Sequence, residues 1–353
     1  MTQHLEAVIV AGGFGTRLLP LTRRRPKHLL EVGGVPFLEH QISRLADAGV
    51  DHVVLATSYR ADLFEPVLGD GRRWGVRLDY VQEVEPLGTA GAIRNVADAL
   101  DPDPEHPVLV LNGDILSGHD IRSQLTDFGT PRDGRPVDVS LHLVRVPDAR
   151  PFGCVPTDDR GRVTGFMEKS ENPVTDQVNA GCYVFRRRVV DEIPPGRVVS
   201  VERETFPELV AAGRLVVGYV DTAYWRDVGT PEALVAASRD LVLGRFTSPA
   251  VPAEPAAAWI APSAKVYPSA RVDGGSVVAD GAVVGERAAV SGSVLMPGAV
   301  VEQDAVVADS VVGPGAVVGA GARLAAAAVG DEARVGAGTT LSEGARVDCD
   351  ADA

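Results

Sequence analysis

Ala11-Gly12-Gly13-Phe14-Gly15-Thr16-Arg17-Leu18, followed by Pro20-Leu21-Thr22 and Pro26-Lys27, is the stretch of this chain best equipped for chemistry. Glycines at 12, 13 and 15 let backbone N–H groups approach phosphate oxygens with no side chain in the way. Arg17 and Lys27 add two full charges to meet a polyphosphate. The string is not a Walker A loop, because no Gly-Lys-Ser/Thr follows at the required spacing. It is not a dinucleotide fingerprint either, because Leu18 stands where the third glycine belongs. A plain glycine turn between strand and helix would explain the glycines alone. Lysine usage tips the balance: of 34 basic residues only Lys27, Lys169 and Lys265 are lysines, so generic positive charge here is arginine.

Two carboxylates come next. Asp114 closes Leu111-Asn112-Gly113-Asp114 after an apolar run, and Asp227 lies in Tyr224-Trp225-Arg226-Asp227-Val228-Gly229-Thr230. Either alone reads as a helix-capping aspartate. Together, at strand ends facing one cleft, they would suit Mg²⁺, which takes one or two protein carboxylates and completes its octahedron with phosphate oxygens and water. Lys169 offers a compact ammonium, which suits a phosphate monoester as a point charge.

The elements that must position these groups alternate over residues 1 to about 245. Short apolar runs at Ala7–Val10, Val53–Ala56 and Val108–Leu111 predict buried parallel strands. Helical spacing at Pro36 to Ala48 and a segment from Gly88 to Leu100 predict the helices between them. Ligands of such sheets sit beyond the carboxyl ends of the strands, where Gly13 and Asp114 fall. Further strands are expected at Val137–Val146, Val163–Phe166, Cys182–Phe185 and Val216–Val220. A last helix is expected from Thr230 (N-cap) and Pro231 (first turn). The fold class expected is α/β, a Rossmann-like domain with a mixed, mostly parallel sheet over 1–245. A Pro/Ala-rich linker follows over 246–260.

The remainder, 261–353, is a repeat. Val or Leu occupies 266, 272, 278, 284, 290, 295, 301, 307, 312, 318, 324, 329, 335, 341 and 347. Steps of six are interrupted by steps of five, so 278, 295, 312 and 329 recur every 17 residues. Such spacing predicts a left-handed parallel β-helix of hexapeptide repeats, with one inward aliphatic per face. Gly, Ala, Asp, Ser and Pro between them suit tight corners.

The string G-G-F-G-T-R-L-L-P-L-T-R-R-R-P-K resembles the signature of the sugar-1-phosphate nucleotidyltransferases, and within them the bacterial mannose-1-phosphate guanylyltransferases. The likeness extends over the whole chain, tail included. It implies transfer of a nucleotidyl group, GMP from GTP, to a sugar 1-phosphate, with mannose 1-phosphate favoured and pyrophosphate released. Ala11, Gly12, Gly13, Gly15 and Thr16 would bind the nucleotide, with Gly12 and Gly13 near base and ribose. Arg17 and Lys27 would hold the triphosphate, and Arg17 would assist the departing pyrophosphate. Gln82-Glu83-Val84-Glu85-Pro86-Leu87-Gly88-Thr89 resembles the family's purine-reading element, implying Gln82, Pro86, Leu87, Gly88 and Thr89 at the base. Asn112 and Gly113 join them, and Asp114 and Asp227 match the metal ligands. Phe152, Gly153, Glu168, Lys169, Asn179, Gly181 and Trp225 match the sugar-phosphate half. Many relatives carry tyrosine where Phe152 stands, and proline where His28 stands.

Composition sets the outer limits. A net charge of −14 argues against a nucleic-acid or anionic-membrane surface. Cys154, Cys182 and Cys349 are too far apart for a disulfide framework or zinc site and fit a reducing cytosol. The start lacks a basic signal region, and no apolar run approaches the roughly 20 residues that span a bilayer, so a cytoplasmic protein is expected. The tail is expected to support homo-oligomerisation or regulation. An acyltransferase tail is rejected, because all seven histidines precede the linker. A non-catalytic homologue is disfavoured by the complete set of charged motif positions. Glucose 1-phosphate or a cyclitol phosphate such as valienol 1-phosphate is the alternative acceptor.

Overall fold

The computed structural model describes residues 4–167, 169–251 and 254–353. The chain forms two compact units: Met1–Gly13 with Ile42–Trp225, and Phe14–Gln41 with Arg226–Ala353. This grouping in space differs from the division drawn along the chain at 245. The signature string changes unit after Gly13, and residues 226–245 group with the tail. Packing inside the second unit explains it: side chains at Gly33 and Gly34 would run into Leu241 and Trp259, so close is the fit.

The first unit is built on seven strands: β1 Glu6–Ala11, β2 His52–Thr57, β3 Arg77–Gln82, β4 Pro107–Asn112, β5 Val139–Arg145, β6 Gln177–Arg186 and β7 Val216–Asp221. Their order is β7-β5-β6-β4-β1-β2-β3. Parallel pairing joins β4, β1, β2 and β3, and also β5 with β7. Only β6 runs against its neighbours β4 and β5. The three expected apolar runs therefore form the centre of the sheet, because strands covered on both faces must be apolar throughout. Val8, Val54, Val108 and Val110 are fully buried among Ala90, Ile93, Tyr183, Phe185 and Phe206.

The longer α-helices are α1 Phe37–Ala48, α2 Gly88–Asn95, α3 Ile121–Gly129, α4 Arg187–Glu192, α5 Phe206–Ala211 and α6 Pro231–Val242, with a further short helix at Phe64–Leu68. α2 stops before Leu100, the remainder turning as a short 3₁₀ segment at Ala97–Ala99. α6 begins as expected: the Thr230 hydroxyl accepts from the Ala233 N–H at 3.2 Å. Val163–Phe166 is not a strand. It makes only single bridges, such as Thr157 with Val163, since its neighbours Thr164 and Gly165 give the run no second apolar face to bury.

In the second unit, the repeat winds into three sheets of parallel strands, the arrangement of a left-handed parallel β-helix. Val294 pairs with Val311, Val283 with Val300 and Ala289 with Val306, each one coil apart. The aliphatics from Val278 to Val335 on the 17-residue ladder are all 0–2% exposed. Alanines at 282, 288, 299, 305, 316, 322, 327 and 333 are buried as well, each two residues before one of those aliphatics. Two inward positions per face, spaced by the strand period, fill the interior, and a small side chain, alanine or serine, stands at the second. Ser276, Ser293 and Ser310 stack as a buried ladder, each hydroxyl accepting from the backbone N–H one coil on at 3.0–3.1 Å. The first strand, Ala258–Ile260, lies inside the segment expected as linker. Two residues of that segment, 252 and 253, lie outside the described residues. Among the described residues, no helix is long and apolar enough to cross a membrane.

Two buried histidines make stability depend on pH. In the second unit, the His40 Nε2–H donates to the Val32 carbonyl at 2.9 Å, and Nδ1 lies 2.7 Å from the Ser248 hydroxyl. In the first, His142 Nε2–H donates to Asp221 at 3.0 Å. Burial pushes both rings down to about 4. Unfolded histidine titrates near 6.5, so between about 6.5 and 4 only the unfolded chain takes up these protons, and stability falls as pH falls. Glu31 opposes them: burial, then the nearby Asp280 charge, raises it to about 7, so its contribution is lost as pH rises through that value. Wild-type melting temperature should therefore drop from pH 6.5 to 4.5. With His40→Asn and His142→Asn combined, the trend should flatten or reverse; an unchanged slope would refute the assignment.

Candidate active site

In the first unit, β4, β1, β2 and β3 end side by side, and their carboxyl ends carry Asn112-Gly113-Asp114, Gly12-Gly13, Ser58 and Glu83 respectively. The Gly113 N–H donates to Val10 at 3.0 Å, and the Glu83 N–H to Thr57 at 2.8 Å, so sheet pairing continues into the loops. The Gly13 N–H donates to the Ser58 hydroxyl at 3.3 Å. A Cβ on Gly12 would lie 3.1 Å from that hydroxyl, and Gly13 has φ +94° with open space above it. The glycines are thus required for the backbone path, and they leave a bare floor beyond Ala11.

The segment expected to read the purine turns at Gly88, with φ +73°, where any Cβ would stand 2.6 Å from the Val199 carbonyl oxygen. Val199 N–H donates to Leu87 at 2.9 Å, pinning the turn against the chain before α5. Gln82, Pro86 and Gly88 are exposed at this edge. Thr89 differs from expectation in its use: its hydroxyl donates to Glu202 at 2.9 Å and accepts from the Val201 N–H at 2.8 Å, so it holds the loop in place.

Most of the residues expected on the acceptor side lie on or beside β6. Gly153 accepts from the Asn179 N–H at 2.9 Å. Asn179 accepts from the Gly181 N–H at 3.1 Å and donates to the Tyr183 hydroxyl at 2.8 Å. Gly181, with φ +72°, would place a Cβ 3.0 Å from the Asn112 amide. Phe152 packs edge-on against Trp225, with centroids 5.1 Å apart, and the Trp225 indole N–H donates to Ala180 at 3.0 Å. Phe152 thus serves as a packing ring. Lys169 is exposed, and Glu168 lies outside the described residues.

In the second unit the signature string closes on itself. Thr22 donates to the Gly15 carbonyl at 2.9 Å, and a Cβ on Gly15 would stand 3.1 Å from the Lys27 side chain. Arg17 lies 3.7 Å from Asp227, while His28 is buried with 1% exposure. The final coils of the β-helix hold this loop. Arg346 donates to the carbonyls of Arg17 and Leu19 at 2.9 and 2.7 Å. Arg23 pairs with Asp348 and Arg24 with Asp350. Arg25 pairs with Asp331, which is 2% exposed. Sequence reasoning missed this clamp; the run Arg23-Arg24-Arg25 within the signature string was the available signal. Glu83 was also passed over, although it directly follows Gln82.

At the strand ends of the first unit, the bare glycine floor offers backbone N–H groups with no side chain in the way, an arrangement that suits a phosphate-bearing ligand. The chain belongs to the nucleotidyl transferase family, whose model matches residues 6–242, and a second model, the GMPPB C-terminal domain, matches residues 255–348. It is a nucleotidyltransferase, and its reaction class uses a divalent metal. Over 251 residues it is 55% identical to the mannose-1-phosphate guanylyltransferase of Mycobacterium tuberculosis, covering 71% of this chain and 68% of that one. It is 36% identical to the mannose-1-phosphate guanylyltransferase catalytic subunit beta of Drosophila melanogaster, over 64% of this chain and 60% of that one. Among solved structures, HddC from Yersinia pseudotuberculosis superposes with a TM-score of 0.57 at 28% identity, covering 66% of this chain and 98% of that one. HddC has also been solved in complex with GMP-PN.

Proposed function

We propose that this protein transfers GMP from GTP to mannose 1-phosphate, releasing pyrophosphate and yielding GDP-mannose. The observation that carries the reading is the 55% identity, over 251 residues, to the mycobacterial guanylyltransferase. The catalytic region is assigned to 1–245 and the β-helix to 261–353. A cytoplasmic homo-oligomer is the expected form.

The acceptor phosphate oxygen is already a nucleophile at neutral pH, so the protein needs no covalent intermediate and no base. That oxygen forms a bond to the α-phosphorus as the bond to pyrophosphate breaks, and the residues act by positioning and by cancelling charge. Arg17 and Lys27 grip the triphosphate, and Lys169 receives the acceptor phosphate. Asn179, Gly181, Trp225 and Phe152 shape the sugar pocket, and Glu168 is assigned to the sugar hydroxyls. Asp114 and Asp227 are half-buried carboxylates, a hard-oxygen donor set that suits Mg²⁺. When bound there, Mg²⁺ would neutralise phosphate charge.

Pyrophosphate release from GTP, ATP, UTP and dTTP, each tested with mannose 1-phosphate, glucose 1-phosphate and valienol 1-phosphate, tests this directly. Turnover confined to GTP with mannose 1-phosphate is expected, and no turnover with any pair would overturn the enzyme reading. Lys169→Ala should raise KM for the sugar phosphate about tenfold, as loss of one charged phosphate contact does. A rise confined to the nucleotide KM would move Lys169 to the other half of the site.

A further inference from the structure

Discrimination between purines needs a group that the glycine loop does not supply. Guanine presents two adjacent donors, N1–H and the 2-amino group. Adenine presents a lone pair at N1 beside an amino donor, and hypoxanthine keeps N1–H but has no 2-amino group. Two acceptors held side by side, as in one carboxylate, match guanine alone.

Glu83 supplies that pair. It follows β3 directly, beside Ser58 at the end of β2 and Gly12 at the end of β1. Its residue exposure is 7%, yet Oε1 has no hydrogen-bond partner among the described residues. Oε2 receives only a long 3.4 Å contact from the Leu87 N–H. A Cβ on Gly12 would come within 4.0 Å of Oε2, so the carboxylate borders the floor on which the base is proposed to lie. Burial pushes the carboxyl up from its ordinary range, as expected of a group short of donors. A buried polar atom without a partner is costly and rare, and a ligand that supplies the missing donors accounts for it.

We infer that Glu83 is the specificity-determining residue for the nucleotide, its two carboxylate oxygens accepting from N1–H and the 2-amino group of guanine. This rests on the proposed use of GTP. Adenine would turn a lone pair toward the same oxygens and be rejected by an unpaired, desolvated charge. The competing role is structural, a buried cap on the Leu87 N–H that touches no base.

The test uses the full-length protein, mannose 1-phosphate and four nucleotides: GTP, ITP, ATP and N1-methyl-GTP. With the unaltered enzyme, kcat/KM should fall about 10-fold or more for ITP and further for N1-methyl-GTP. Glu83→Gln should lower kcat/KM for GTP by about 10- to 100-fold and bring the GTP-to-ITP ratio close to one. It should also raise ATP relative to GTP, because an amide offers one donor and one acceptor. KM for the sugar phosphate should not move. A structural cap would alter melting temperature and leave the ratios intact, and unchanged ratios in Glu83→Gln overturn the inference. If that variant fails to fold, equal use of N1-methyl-GTP and GTP by the unaltered enzyme overturns it as well. Failure of the unaltered enzyme to use GTP at all would instead remove the underlying activity.

Discussion

Asp114→Ala and Asp227→Ala should each lower kcat by roughly three orders of magnitude, with much smaller changes in either KM. The reaction brings two polyanions together, so its barrier is dominated by charge repulsion, and a carboxylate that holds a divalent cation acts on that barrier. Asp227 needs a further control, because it also lies 3.7 Å from Arg17. Asp227→Asn keeps the size of the side chain while removing its charge. If Asp227 merely positions Arg17, the asparagine variant should retain much of the activity. If it holds the metal, asparagine should cost nearly as much as alanine. Pyrophosphate release measured across a magnesium titration separates the two, and normal turnover in either alanine variant would remove the metal assignment.

Arg25→Ala should destabilise the grip of the β-helix on the signature loop by about 3 kcal/mol, because removing one partner leaves Asp331 as an uncompensated buried charge. Burial already raises the Asp331 carboxyl, and Arg25 is the leading group opposing that rise. The loop carries Arg17 and Lys27, so nucleotide KM should rise by about tenfold while sugar-phosphate KM stays near its normal value. Replacing both partners with apolar residues, Arg25→Met with Asp331→Leu, should recover most of the melting temperature, since no orphaned charge remains. Should the double variant melt as low as Arg25→Ala, the pair is not the source of the effect. Arg23 and Arg24, paired with the more exposed Asp348 and Asp350, should matter far less.

Both experiments bear on how much of the molecule can be read from the chain. The glycine string and the apolar runs are local signals, and each appears where its residue types place it. Thr89 and Phe152 show the limit. Both lie in segments expected to form the site, but Thr89 is occupied by Glu202, and Phe152 by Trp225. Those partners lie far along the chain, and no spacing rule announces them. Val163–Phe166 fails for a related reason: four residues of mixed polarity carry no decisive period, and tertiary pairing left them as bridges.

The β-helix was legible because every coil obeys the same short rule, an inward aliphatic at each face with corners between, so that one 17-residue period specifies all three sheets. The glycine turn after β1 was legible because a left-handed backbone demands glycine whatever surrounds it. Tertiary structure decided the rest. Glu83 became a buried carboxylate with an idle oxygen only when three strand ends met beside Gly12. Arg25 found Asp331 across 306 residues of sequence, and charge alone does not say which of 48 acidic residues an arginine will meet. Periodicity and backbone geometry are written into neighbouring residues, whereas desolvation and ion pairing depend on what the fold brings alongside.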